Sequence, residues 1–101
     1  MTTERQLSEV ILDILVTRPN GEASIADLIH EIPKRITLSQ ADFAPSPTRP
    51  NEAVWEQRVR NITSHKSVST NFIRLGYLER TDGGLKITTL GRGRPKTRQL
   101  V

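Results

Sequence analysis

Apolar residues recur at helical spacing close to the start of the chain. Positions 7, 10, 11, 14 and 15 are all Leu, Val or Ile, and this spacing places them on one face of a helix. Thr3 and Gln6 precede the stripe with the spacing of a capping box, and Pro19 and Gly21 stop it. The pattern predicts a one-sided helix over about residues 4–17.

A second apolar stripe occupies positions 25, 28, 29 and 32. Ser24 stands directly before it and is suited to cap a helix, and Pro33 is expected to close that helix. Glu22 and Ala23, between the two helices, can pair as a very short strand. His30 lies off the stripe and is interpreted as a surface residue.

The periodicity disappears between Pro33 and Pro50, where prolines recur. This stretch is expected to be a loop with at most one helical turn, at residues 39–43. A loop of this length inside a small domain often has a function or is flexible.

A third helix is predicted over about residues 52–65, with Asn51 as its cap. Trp55, Val59 and Ile62 follow one another at the spacing of a buried helix face. Ser67 or Ser69 is expected to cap a further short helix that runs through Leu75, with Gly76 as the first residue after it.

A hairpin follows, because Asp82-Gly83-Gly84 separates two short alternating runs. Since a lone hairpin is not stable in water, it must pack on the helices. Three helices followed by a hairpin are the order of a winged helix-turn-helix. The expected fold class is therefore mainly α with a small β-hairpin, with a winged-helix domain at 1–91 and a basic extended tail or linker at 92–101.

Charge changes the picture, because it is unevenly distributed. Residues 1–50 hold five basic and seven acidic residues, a net −2, whereas residues 51–101 hold ten basic and four acidic residues, a net +6. This asymmetry suggests a polyanionic partner, with nucleic acid before a membrane, but on composition alone a solubilising surface charge explains it equally well. The chain of 101 residues has no cysteine and no apolar run of membrane-spanning length, which is typical of one domain in a reducing cytoplasm.

Three short motifs resemble the N-terminal winged-helix domains of bacterial restriction proteins, of the Mrr type or of similar modules that precede HNH nucleases. The motifs are Trp-x-x-Arg-Val-Arg at 55–60, Phe-Ile-Arg-Leu-Gly-Tyr-Leu-Glu at 72–79 and Gly-Gly-Leu-Lys-Ile-Thr-Thr-Leu-Gly at 83–91. The resemblance covers about residues 36–91, and residues 62–71 are an insertion relative to it. It implies a cytoplasmic, nucleoid-associated module that binds double-stranded DNA, often as the reading part of a nuclease.

The expected DNA contacts are polar side chains off the apolar stripe of the third helix, on the segment after it and on the hairpin. Arg and Asn are the favoured readers of base edges, whereas Ser, Thr and Lys mostly contact phosphate. The candidates are Arg58, Arg60, Asn61, Ser64, His65, Lys66, Ser67, Ser69, Thr70, Asn71, Arg74, Arg80 and Lys86.

The segment from Leu90 to Arg98 is expected not to be helical, because two glycines and Pro95 interrupt it. Arg-Gly-Arg-Pro at 92–95 resembles the core of an AT-hook, in which an extended chain fits a narrow A·T minor groove. The alternative is a non-specific basic arm or linker. Arg92, Arg94, Lys96 and Arg98 are expected to contact DNA if the segment is a hook or a basic arm, but not if it is a solvated end.

Neither catalysis nor a cofactor is expected. No Glu-x-Lys of the Mrr type occurs, and the two histidines lack the neighbours of a zinc site. The rival class is a winged-helix domain that docks on another protein. An exposed apolar patch on the third helix would favour that class, whereas arginine and lysine there favour DNA. The sequence leaves the oligomeric state open.

Overall fold

The computed structural model describes the backbone of residues 1–99 and the side chains of residues 1–94. Over these residues the chain is a mixed α/β domain with four helices and a three-stranded antiparallel sheet. The elements in chain order are α1 (Glu4–Leu15), β1 (Glu22–Ser24), α2 (Ile25–Arg35), α3 (Val54–Ser64), β2 (Leu78–Thr81), β3 (Gly84–Ile87) and α4 (Thr89–Gln99). The predicted order of three helices and a hairpin is present, and α4 is an addition to it.

The capping box that begins α1 is confirmed. The hydroxyl of Thr3 accepts a hydrogen bond from the backbone N–H of Gln6 at 3.0 Å, and the Gln6 side chain accepts one from the N–H of Thr3 at 2.8 Å. The helix ends at Leu15, two residues before the predicted end. It ends there because the N–H groups of Thr17 and Arg18 bond to carbonyls three residues back, which tightens the last turn.

The start of α2 is confirmed and its predicted end is wrong. Ser24 caps the helix by accepting from the N–H of Asp27 at 3.0 Å. Pro33 lies inside the helix, which continues to Arg35. A proline removes one donor of the ladder, but the N–H of Ile36 still donates to Ile32 at 3.2 Å.

The sheet has the order β1-β3-β2, so the hairpin gains β1 as a third strand. Ala23 pairs with Leu85, and Leu78 pairs with Ile87, all four buried on the side of the sheet that packs on the helices. The turn of the hairpin is tied to the helices as well, because the N–H of Ile25 donates to the carbonyl of Gly83 at 3.0 Å. The hairpin is therefore a fixed part of the domain.

The core lies between α1, α2, α3 and the sheet. The stripes predicted for the three helices supply most of it, and Phe72 adds a ring that is 2 % exposed. Its members are Leu7, Ile11, Leu12, Ile14, Leu15, Ala23, Leu28, Ile32, Trp55, Val59, Ile62, Phe72, Leu78, Leu85 and Ile87.

The short helix predicted to run from Ser67 or Ser69 to Leu75 is absent, and this segment forms consecutive turns. Buried Asn71 organises them. Its side-chain amide donates to the carbonyl of Ile62 at 2.7 Å and its oxygen accepts from the N–H of Ile73 at 2.7 Å. Because this side chain satisfies backbone groups itself, the segment does not need a regular helix.

A buried carboxylate holds the long loop between α2 and α3. Asp42 is fully enclosed, and its oxygens accept from the N–H and hydroxyl of Thr2, each at 2.8 Å, and from the N–H and hydroxyl of Ser39 at 2.9 and 3.0 Å. Burial alone would raise the pKa of Asp42, but these donors outweigh it and lower the pKa to about 2.

The same loop sets where α3 begins. The carbonyls of Ala44 and Asp42 accept from the N–H groups of Val54 and Trp55 at 2.8 and 3.1 Å. Asn51 is not the cap that the sequence predicts, and the side chain of Glu56 accepts from the N–H of Ala53 instead. Because the loop supplies acceptors to these first donors, the helix begins at Val54.

The expectation that residues 90–98 are not helical is wrong, because α4 spans Thr89–Gln99 and crosses the expected boundary at residue 91. The Thr88 hydroxyl accepts from the N–H of Gly91 at 2.9 Å and donates to the Gly76 carbonyl. A Cβ atom on Gly91 would lie 2.1 Å from the carbonyl oxygen of Tyr77. Gly91 is thus required for close packing of α4 and does not mark a break.

Two glycines of α4 should respond oppositely to alanine. Gly91→Ala pushes a methyl group into backbone and should lower the free energy of unfolding by roughly 1–3 kcal/mol. Gly93 has open space where its Cβ would be, so Gly93→Ala should raise the free energy by up to about 1 kcal/mol through helix propensity. Urea unfolding of the two variants measures both. A loss of stability in Gly93→Ala would contradict the helical assignment.

Asp42 should contribute to stability in a pH-dependent way. Its folded pKa of about 2 lies below the ordinary value, so the contribution is complete above about pH 4 and is lost as the pH falls to about 2. The wild type should exceed Asp42→Asn in free energy of unfolding at neutral pH, and this difference should shrink by roughly 2 kcal/mol in acid. Urea titrations at several pH values measure it. A difference independent of pH would contradict the assignment.

Candidate nucleic-acid interface

The outward face of α3 is polar and carries no acid. Trp55, Val59 and Ile62 define its inner side. At about 100° per residue, the side chains opposite them belong to Gln57, Arg60, Asn61 and Ser64. Arg60, Asn61 and Ser64 are among the predicted DNA contacts, and Gln57 is not. A helical projection away from the apolar stripe would have found it.

Two amide side chains on this face are joined. The Gln57 amide donates to the side-chain oxygen of Asn61 at 3.0 Å. The Gln57 oxygen in turn lies 3.3 Å from the Ser46 hydroxyl and 3.4 Å from the Thr48 hydroxyl. The loop before α3 therefore orients the amide groups that face outward.

Arg60 is held by an acid from the same loop. Its Nε donates to Oε2 of Glu52 at 2.7 Å, whereas Oε1 of Glu52 is buried without a hydrogen-bond partner. The guanidinium has five N–H donors and uses one in this bond. The Nη1 and Nη2 groups of Arg60 therefore keep their donors for another acceptor.

Three arginines line a groove that lies between α3 and the hairpin. Arg49 from the loop, Arg60 from α3 and Arg80 from β2 line a cavity of about 340 Å³. Arg80 lies on this side because it pairs with buried Leu85, and opposite residues of a ladder share a face. Arg49 is not among the predicted contacts, since it stands alone among prolines and in the acidic half of the chain.

Lys86 does not join this groove. It pairs with Glu22 on one side and with Glu79 on the other, and side chains alternate along a strand. It therefore occupies the opposite face of the sheet from Arg80, between two acidic neighbours. Arg80 and Lys86, both predicted as DNA contacts on the hairpin, thus lie on opposite faces of the sheet.

Arg58 lies on the flank of α3. Its side chain is half-buried, and its Nη1 atom is enclosed without a hydrogen-bond partner. It lines a shallow cavity of about 190 Å³ together with Ser46, Gln57 and Asn61. Arg58 is thus next to the amide pair rather than at the centre of the outward face.

In the segment after α3, some candidate residues are exposed and others already form hydrogen bonds within the domain. The Nδ1 atom of His65 lies 2.9 Å from a carboxylate oxygen of Glu4, at the start of α1. Asn71 is 4 % exposed and its amide group bonds to the backbone, so it is not accessible to a base edge, contrary to the prediction. The other candidates are exposed, namely Lys66, Ser67, Ser69, Thr70 and Arg74.

Arg94 is engaged within the domain and is not part of an extended hook. Its Nε and Nη2 donate to the two oxygens of Glu9 on α1, the first at 3.2 Å. Its guanidinium carbon lies 5.2 Å from the ring centre of Phe72 and 4.7 Å from that of Tyr77. The hydrogen bonds from Glu9 raise the pKa of Arg94 above its ordinary value, against the opposite effect of burial.

Arg92 also contacts the domain, since its guanidinium lies over Gly21. A Cβ atom at Gly21 would be 2.5 Å from Nη2 of Arg92. The side chains of Lys96 and Arg98 lie outside the described residues. Of the four basic residues assigned to the tail, two are thus placed against the body of the domain.

Among the described residues, no group of three His, Cys, Asp or Glu side chains is arranged to hold a metal ion. None of the helices in that part of the chain is long and apolar enough to cross a membrane. No protein-family model matches the chain, and no curated protein or solved structure is significantly similar to it.

The Arg94 contacts should stabilise the fold. Arg94→Met keeps an apolar stem but loses the paired hydrogen bonds and the aromatic contacts, so the free energy of unfolding should fall by about 1–2 kcal/mol. Arg74→Met, on an exposed side chain, should leave it unchanged. Chemical denaturation measures both. Unchanged stability of Arg94→Met would show that α4 does not depend on this contact.

Proposed function

We propose that the chain is a winged-helix domain that binds double-stranded DNA, with α3 in the major groove and the hairpin beside it as the wing. The observation that carries the proposal is the outward face of α3, which is polar, without acids, and adjacent to three arginines. Such a face offers donors to base edges and phosphates, and the helix-then-hairpin order is that of winged helices.

The element order supports this proposal further. The order of helix, strand, two helices and hairpin, with β1 next to β3, builds the wing onto the helices through β1. The bond from Ile25 to Gly83 keeps the turn close to the start of α2. The wing is consequently short, and it presents Arg80 from its strand rather than from its tip.

A protein-docking module is the alternative class. It would use an apolar patch at the site, but the outward face of α3 has none. The strongly exposed apolar side chains in the described part of the chain lie on other segments, namely Met1, Phe43, Val68, Leu75 and Leu90. This distribution favours DNA over a protein partner for α3.

The resemblance to restriction proteins extends the proposal to a biological setting. A module of this kind would read DNA for a nuclease domain or subunit, or regulate transcription, in the bacterial cytoplasm. The proposal assigns no catalytic residue to the chain. What it requires is binding to duplex DNA that depends on salt and on the face of α3.

A charge placed on α3 should test the binding face. Ser64 is exposed on the outward side, so Ser64→Glu should leave the fold intact and repel the DNA backbone, lowering affinity about tenfold or more. Thr37→Glu is the matched control, because exposed Thr37 lies beside α1 in another cavity. Fluorescence anisotropy with a labelled random duplex measures both. An equal loss for the two variants would contradict docking through α3.

A further inference from the structure

The groove between α3 and the hairpin has more positive charge than the protein itself compensates. Among the described residues, neither Arg49 nor Arg80 forms an ion pair. Arg60 is bonded to Glu52 by Nε alone. Two acids, Glu52 bonded to Arg60 and Asp82 on the groove lining, stand against the three arginines, which leaves one positive charge in excess. Three guanidinium groups held in one cavity repel each other unless an anion lies between them.

The neighbouring groups indicate which anion fits. Three hydroxyl-bearing residues, Thr63, Ser64 and Thr81, line the same groove, together with Gly83 and Gly84 of the hairpin turn. Guanidinium and hydroxyl groups are the usual partners of phosphate oxygens. The groove also runs between the two elements that would contact DNA, where one strand of its backbone must pass if α3 enters the major groove.

We propose that this groove binds a phosphate group of the DNA backbone, with Arg49 and Arg80 as its outer contacts and Arg60 at its inner wall. The proposal deepens the proposed function and rests on it. It makes the long loop between α2 and α3 a third DNA-contacting element, beside the helix and the wing. Glu52 acts as a positioning residue, because it fixes Nε of Arg60 and leaves the Nη groups available.

The contact predicted for Arg49 is independent of base sequence. Phosphate contacts set the register of a protein on DNA but do not read bases. Each phosphate contact contributes about 0.9 to the slope of log affinity against log salt concentration. Loss of one arginine should therefore lower that slope by about one unit, to the same extent on any duplex.

The experiment titrates wild type, Arg49→Ala and Arg80→Ala with two unrelated duplexes over a series of salt concentrations. Both side chains are exposed, so neither variant should unfold. Each variant should lower the slope by about 0.9 and weaken binding severalfold on both duplexes. Arg49→Lys should retain the slope, and Arg5→Ala, an exposed arginine on α1, should behave as wild type.

The outcomes separate this proposal from the one that it rests on. Wild-type affinity and slope in both Arg49→Ala and Arg80→Ala would overturn the groove as a backbone site while leaving DNA binding intact. Failure of the wild type to bind any duplex would overturn DNA binding itself.

A second titration with inorganic pyrophosphate, followed by the amide signals of Gly83 and Gly84, distinguishes a free phosphate from the DNA backbone. No shift of these signals by pyrophosphate, together with unchanged duplex binding in Arg49→Ala, would overturn any phosphate site. Shifts that Arg49→Ala abolishes, with duplex binding unaffected, would assign the groove to a small phosphorylated ligand and overturn the DNA assignment.

Discussion

The placement of α3 depends on one buried carboxylate. Asp42 gathers donors from Thr2 and Ser39, and its own carbonyl accepts from the N–H of Trp55 at the start of the helix. The loop that it holds also brings Glu52 to Arg60. A charge without partners would be too costly to bury, so these donors must be present together for the loop to adopt this path. Helix, loop and groove are in this sense one unit.

How much was predictable from the sequence depends on how local the cause was. The first two helices and the hairpin follow from periodicity, caps and turn residues that lie within a few positions of each other. The start of α3 and the helix in residues 89–99 do not, because backbone groups in other segments of the chain decide them. The end of α2 was mispredicted for a local reason, since the N–H of Ile36 donates to Ile32 past Pro33. Gly91 is an example. A residue with a Cβ atom would clash there with the carbonyl oxygen of Tyr77, and no local sequence pattern reveals that contact.

The candidate site shows the same limit in terms of charge. The basic second half of the sequence suggested where an anion would bind. The net charge of a segment does not show, however, which of its side chains are exposed and unpaired in the folded protein. Lys86 lies opposite two glutamates, and Arg94 is paired with Glu9. Arg49, from the acidic half, enters the groove because the loop folds back beside α3. Only the tertiary structure decides which cations remain uncompensated.

The helical state of residues 89–99 alters how the domain would approach a charged polymer. An eleven-residue helix spans about 16 Å, whereas the same residues extended would reach roughly twice as far. An unstructured basic arm samples a large volume and captures a polyanion before the body arrives. A helix that is anchored on α1 cannot sample such a volume. The electrostatic field of the folded surface would then govern the encounter, and the orientation of that surface would set the rate of capture.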